Sequence, residues 1–212
     1  VVKPLNKPNV TAEKVTNDFN TIYDRHDPYI EAMIIENCTI SVQDAEAIEF
    51  VNVRFRNVHF KEAKITKMYL RDVVFEKCDL SNAHFEEVTM HRVAFYHCQM
   101  TGVIMADGRF NHVALENCNL QFVGMGFCNQ KYTSYNECIL KQADLYENSL
   151  KYMTFDKCEL TGVNFTNTSL AGIDLSRSYF DQITVGIANL KGCIVNEEQA
   201  KILSTLLGLI VK

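Results

Sequence analysis

Residues 75–95 read FEKCDLSNAHFEEVTMHRVAF, and the large apolar residues stand at Phe75, Leu80, Phe85, Met90 and Phe95. The spacing is five. A helix face returns after three, four and seven residues, and a half-buried strand alternates at two. Five steps along a helix turn the side chain off its starting face, and five along a flat strand reverse it. The chain must therefore change direction within each unit if every fifth residue is to point inward.

Read outward from this stretch, every fifth residue from Ile30 to Leu190 is apolar with no shift of phase, Gln130 being the one plainly polar exception and Ala45 the one small residue. Residues two before each centre are mostly small or apolar, among them Val53, Ala63, Val73, Ala83 and Val88. The remaining three positions are mostly polar. All eight cysteines (Cys38, Cys78, Cys98, Cys118, Cys128, Cys138, Cys158, Cys193) fall on the small inward position, and Cys78 to Cys158 step by twenty without a break. This second period predicts that four units close one coil, with residues i and i+20 stacked and each unit forming one side of a square.

Units such as Cys78-Asp79-Leu80-Ser81-Asn82, Ala143-Asp144-Leu145-Tyr146-Glu147 and Val163-Asn164-Phe165-Thr166-Asn167 resemble the pentapeptide repeat family, and the match covers about three quarters of the chain. The resemblance implies an all-β fold, a right-handed quadrilateral β-helix. Residues 1–29 are expected to cap its N-terminal end, 30–195 to form about eight coils, and 196–212 to form a C-terminal helix and tail that dimerises. At ~4.8 Å per coil the rod is about 40 Å long. Proline would remove a ladder donor, and Pro4, Pro8 and Pro28 all precede the repeat. At the other end Asn196 suits an N-cap, Glu197 and Glu198 the first turn, and Gln199 the capping-box position. Ile202, Leu203, Leu206 and Leu207 make one apolar face, Gly208 a stop, and Leu209-Ile210-Val211 a strand-like tail.

Composition excludes several classes. With 47% hydrophobic residues the chain can bury a sizeable core, and its net charge of −5 and pI near 5.7 argue against direct binding of nucleic acid. No run of 18 apolar residues and no secretory signal is present, so no membrane role and a cytoplasmic location are expected. Zinc sites want paired cysteines at Cys-x-x-Cys spacing, and the chain has none. The six histidines share no ligand spacing, so neither metal nor other cofactor is expected. The cysteines read as free, buried small hydrophobes. No nucleophile elbow, phosphate loop or metalloprotease motif occurs, so there are no catalytic candidates and the chain is not read as an enzyme.

Folding the charges onto four sides is more informative. The side centred on Ala45, Ile65, Phe85, Met105, Met125 and Leu145 carries Asp44, Glu46, Glu86, Glu87, Asp107, Asp144 and Glu147 against Lys64 and Lys67. The next side carries Arg71, Arg92, Arg109, Lys131, Lys151 and Lys191 against Glu49 and Asp72. The acidic side suits the steering of a basic partner, although a solvated face with uneven charge gives the same count. Residues 121–130 fit the repeat worst. Glycines flank Met125, Phe122 and Phe127 take outward positions, and Gln130 an inward one. Either a local kink presents Phe122 and Phe127 to a partner, or the repeat has an ordinary defect with Gln130 hydrogen-bonded inside.

Within its family the chain is similar to the quinolone-resistance (Qnr-type) branch of the loop-free kind. The likeness rests on its length, its coils and the ending Asn196-Glu197-Glu198-Gln199-Ala200 with Leu206-Leu207-Gly208-Leu209-Ile210-Val211. The resemblance implies a DNA-mimicking rod that binds type II topoisomerase (DNA gyrase, and topoisomerase IV as a further target) and protects it from fluoroquinolones. It also implies a homodimer joined tail to tail through Ile202, Leu203, Leu206, Leu207, Leu209, Ile210 and Val211. The unbroken phase excludes the projecting loops of other members and leaves protection and simple inhibition both open. The alternative is a rigid protein-interaction scaffold with no topoisomerase role.

Overall fold

The computed structural model describes residues 4–211. After β1 (Lys14–Thr16) and a 3-10 turn, the chain winds through β2 (Tyr29–Glu36), β3 (Thr39–Ile40), β4 (Ala45–Glu46), β5 (Glu49–Arg56), β6 (His59–Phe60), β7 (Ile65–Thr66) and β8 (Tyr69–Glu76). It continues through β9 (Thr89–Tyr96), β10 (Arg109–Glu116), β11 (Asn129–Asn136), β12 (Ser149–Lys151) and β13 (Thr154–Asp156), and ends in the helix α1 (Glu197–Ser204). The eight-residue strands pair in parallel at a register of twenty, so Ile30, Phe50, Leu70, Met90, Phe110, Gln130 and Leu150 stand one above another. The molecule is thus a parallel β-solenoid, as the two periods require.

The fifth-residue positions fill the axis. Phe55, Phe75 and Phe95 stack nearly parallel with ring centres 4.7 and 4.6 Å apart, the spacing of one rung. Six cysteines are buried, all eight are free, and the stacked thiols donate to backbone carbonyls, Cys98 Sγ to Tyr96 O at 3.4 Å and Cys118 Sγ to Glu116 O at 3.4 Å. Burial pushes the Cys128 thiol up to about 12. These cysteines are packing residues.

Through most of the coil the change of direction is made by the residue two after a centre; after Ile40 it falls instead on Asp44, φ 54°. Asn37, Asn57, Asn82 and Asn117 take φ of 53°, 52°, 58° and 53°, and Gly102 and Gly162 take 68° and 77°. The left-handed region favours Asn and Gly, which explains their recurrence there. Two corner types occur. Asp72, Arg92 and His112 bend long strands without interrupting the sheet, so one strand serves two sides. Corners such as Leu80–Ala83 close as tight turns, the Ala83 N–H donating to Leu80 O at 3.0 Å.

The long sheet stops at β12 and β13. One coil on, the corner at Gly172 is a tight turn, with the Ile173 N–H donating to Leu170 O at 3.0 Å, where Tyr152 above it bends a strand-like corner. The mismatch parts the two rungs, leaves Leu150 half-buried and opens a cavity of about 410 Å³ lined by Leu150, Met153, Ala171, Gly172 and Ile173.

Both ends are closed. At the start, Phe19 is buried against Tyr23 and Phe50. Before it, residues 4–13 run up one corner of the rod, where the backbone N–H groups of Asn6, Asn9 and Thr11 donate to the side chains of His112, Asp72 and Asn52 at 3.0, 3.0 and 2.7 Å. At the far end Asn196 and Gln199 form both halves of a capping box, and the buried Gln199 amide donates to Leu175 O and Ser178 O at 2.9 and 2.8 Å. Gly208 ends the final turn at φ 76°. The expected strand-like tail is corrected here: Leu209, Ile210 and Val211 form no strand, because no sheet edge lies beside them to supply a ladder, and they stand exposed.

Candidate partner-binding surface

The coil brings the seven predicted acids onto one side and its edge. Asp44 and Asp144 precede a centre, Glu46 and Glu86 follow one, and Glu87, Asp107 and Glu147 occupy the left-handed corner at φ 56°, 58° and 53°. All are exposed except the half-buried Asp144. Corner residues project outward, so Glu87 and Asp107 stand one rung apart and Glu147 two rungs farther on.

Clustering of like charge, with few ion pairs, marks this side. Elsewhere several carboxylates are matched with cations, as in Asp72–Arg92 at 2.6 Å, Glu137–Lys157 at 2.7 Å, Asp156–Arg177 at 2.9 Å and Glu36–Arg56 at 3.2 Å, while others such as Glu62, Glu116 and Asp181 form no ion pair among the described residues. On the acidic side Glu46 takes Lys67 at 2.5 Å, and that hydrogen bond holds the Glu46 carboxyl below the usual range. Among the described residues the other six acids make no ion pair. Asp144 and Glu147 accept only from the neutral amides of Asn164 and Asn167, at 2.9 and 3.3 Å. Exposed pairs add little to stability, so what matters here is the uncompensated field.

Phe122 and Phe127 lie on one rung at the two edges of this side, 56% and 48% exposed. Phe127 falls in the corner ladder between Asp107 and Glu147, and its ring meets Tyr146 edge-on at 4.8 Å. Gly126 makes room for that contact, since a Cβ there would come within 2.4 Å of the Tyr146 ring. Of the two readings of residues 121–130, the kink is corrected: Met125 and Phe127 donate to Asp144 O and Tyr146 O at 2.8 and 3.0 Å, and the coil keeps its register. Gln130 is fully buried and accepts from the Tyr135 hydroxyl at 2.9 Å. The phenylalanines are exposed without any distortion, because a corner residue points outward whatever its chemistry.

The C-terminal residues divide. Ile202 and Leu203 are half-buried and pack on the last coil, with Leu203 also lining the apolar hollow beside the helix. Leu206, Leu207, Leu209, Ile210 and Val211 are 38%, 60%, 56%, 88% and 52% exposed, beside an apolar hollow lined by Ile187, Leu190, Cys193, Val195 and Leu203. Sequence reasoning missed the N-terminal segment on its corner, which has no periodicity to announce it. No helix among the described residues is long and apolar enough to cross a membrane.

Two stretches of the chain match known repeat models. Residues 68–134 match the family model described as a pentapeptide repeat region, and 158–182 match that of pentapeptide repeats. No curated protein matches the chain. Among solved structures, a trypsin-treated variant of QnrB1, a plasmid-mediated fluoroquinolone resistance protein, is 22% identical, with 87% of this chain and 91% of that chain covered and a TM-score of 0.42. HetL, a pentapeptide repeat protein involved in heterocyst differentiation regulation in the cyanobacterium Nostoc sp. strain PCC 7120, is 12% identical, with 80% and 85% covered and a TM-score of 0.48. With a five-residue unit, a twenty-residue coil and left-handed corners in place, the chain has a pentapeptide-repeat β-solenoid fold, and its residues 68–134 and 158–182 carry the repeats that the family models describe.

Proposed function

We propose that this protein is a Qnr-type, non-enzymatic rod that binds DNA gyrase through its acidic side and shields it from fluoroquinolones. The observation that carries the reading is the clustering of seven carboxylates on one side of the rod and its edge, six of them exposed or half-exposed and without an ion pair among the described residues. A surface that normally receives duplex DNA is basic, and a rigid acidic edge would be drawn to it. The acids span rungs 45 to 145, about 24 Å at ~4.8 Å per rung. Duplex DNA presents a charge every ~1.7 Å, so the mimicry is partial and shape supplies the rest. Phe122 and Phe127 provide apolar contact at the same rung. The exposed Leu207, Leu209, Ile210 and Val211 support pairing of two rods end to end.

The test is Glu87→Lys with Asp107→Lys, titrated into purified gyrase by calorimetry. Both residues are exposed corner residues, and Lys is already tolerated at such corners, as at Lys77 and Lys157. Placing like charges against a basic surface is expected to weaken binding by at least about tenfold with an unchanged circular dichroism spectrum. Unaltered binding would remove the acidic side from the mechanism, and no binding by the parent protein would favour the scaffold role.

A further inference from the structure

The corner formed by Asn52, Asp72, Arg92 and His112 carries the extended N-terminal segment described above. Leu5, Pro8, Val10 and Ala12 are half-buried along it, and the polar anchors fall on three different rungs. The anchors differ in chemistry. Thr11 is held by an amide that does not titrate, the Asn52 side chain also donating to Thr11 Oγ1 at 3.1 Å. Asn9 is held by Asp72, which Arg92 clamps through two bonds of 2.7 and 2.6 Å. Asn6 is held by a histidine.

An N–H can donate to His112 Nδ1 only while that nitrogen keeps its lone pair, so the Asn6 bond requires the neutral ring with its proton on Nε2. The Asn6 side-chain amide nitrogen lies 3.4 Å from Nε2, a contact that makes no hydrogen bond while the proton sits on Nε2, so the latch is the Asn6 backbone N–H on Nδ1. Protonation would set one N–H against another. We propose that residues 4–8 form a pH-sensitive strap, latched by neutral His112 and released when His112 is protonated, while residues 9–13 stay seated.

The surroundings favour this. His112 stacks on Tyr132 of β11 at 4.6 Å and meets His91 of β9 edge-on at 6.3 Å. Arg92 of β9 and Lys131 of β11 complete its charged neighbours, with Asp72 of β8 two rungs away and already paired with Arg92; the strap itself adds Lys7. Burial first, then His91, Arg92 and Lys131, hold His112 below the ordinary histidine value. His91, Arg92 and Lys131 stay in place when the strap leaves, so the strap's own effect is the Asn6 bond to Nδ1 and the burial it adds. Both favour the neutral ring. The strapped state therefore binds fewer protons than the released one, and strapping weakens as pH falls through the value of strapped His112. The Arg92 bonds hold Asp72 well below the usual carboxylate range, so the Asn9 anchor survives where the Asn6 anchor fails. Release would uncover the edge of the basic side at Arg92 and His112. This inference stands apart from the topoisomerase reading.

The test is NMR relaxation of backbone amides from pH 8 to pH 5.5, with His112 followed through its ring resonances. As His112 titrates, the Asn6 and Lys7 order parameters are expected to fall from about 0.85 to below about 0.6 while those of Asn9 and Thr11 hold. In His112→Gln, whose side-chain oxygen accepts but does not titrate, the Asn6 value is expected to stay high throughout. The proposal is overturned if Asn6 stays rigid once His112 is protonated, if it is mobile at pH 8, or if His112→Gln loosens at the same pH.

Discussion

Gln130 stands inward between Phe110 and Leu150, and its oxygen accepts from the hydroxyl of Tyr135, one unit farther on. Its amide nitrogen has no partner among the described residues. Burial drives the Tyr135 hydroxyl well above its ordinary value, so it is a committed donor. Removing one partner strands the other, whereas removing both leaves an apolar core. Tyr135→Phe is therefore expected to cost about 1–3 kcal/mol, and Gln130→Leu with Tyr135→Phe to recover most of that loss or exceed the parent, as read by urea unfolding. Equal losses in both variants would show that the polar pair is not a net cost. Gln130 was legible in the sequence as the one break in an apolar series. The left-handed corner was not read there, because Asn and Gly also recur in ordinary turns. Only the coil distinguishes the second residue after a centre from the first.

At the scale of elements, corners decide what a strand can be. Asn117 bends at φ 53° while its N–H donates to Asn136 O at 3.0 Å. A β-branched residue resists that conformation, so Asn117→Val is expected to cost about 1–2 kcal/mol and Asn117→Gly to be close to neutral. Thermal midpoints of the two variants check this, and equal midpoints would contradict it. The sequence located every side of the solenoid through its five-residue period. It did not separate sides joined by strand-like corners from those joined by tight turns, since both share one pattern. The parting of rungs beside Gly172 was hidden for the same reason. The N-terminal segment escaped entirely, being held by bonds that span 41 to 106 residues and leave no local signature.

At the scale of the molecule, the charge pattern was legible once four sides were known, but ion pairing was not. Lys67 is spent on Glu46, although it stands one rung from Glu87, and the remaining acids form no ion pair among the described residues. The C-terminal apolar face was legible as composition. Its division into Ile202 and Leu203 inward and Leu206 onward outward depends on how α1 docks through Gln199. The rod, its acidic edge and its exposed apolar end together support the proposed pairing with DNA gyrase. The measurement that tests this most directly is a gyrase supercoiling assay, titrating the purified protein with and without a fluoroquinolone. The account predicts that supercoiling lost to the drug is restored as protein is added. Inhibition without rescue, or no effect at any concentration, would contradict it.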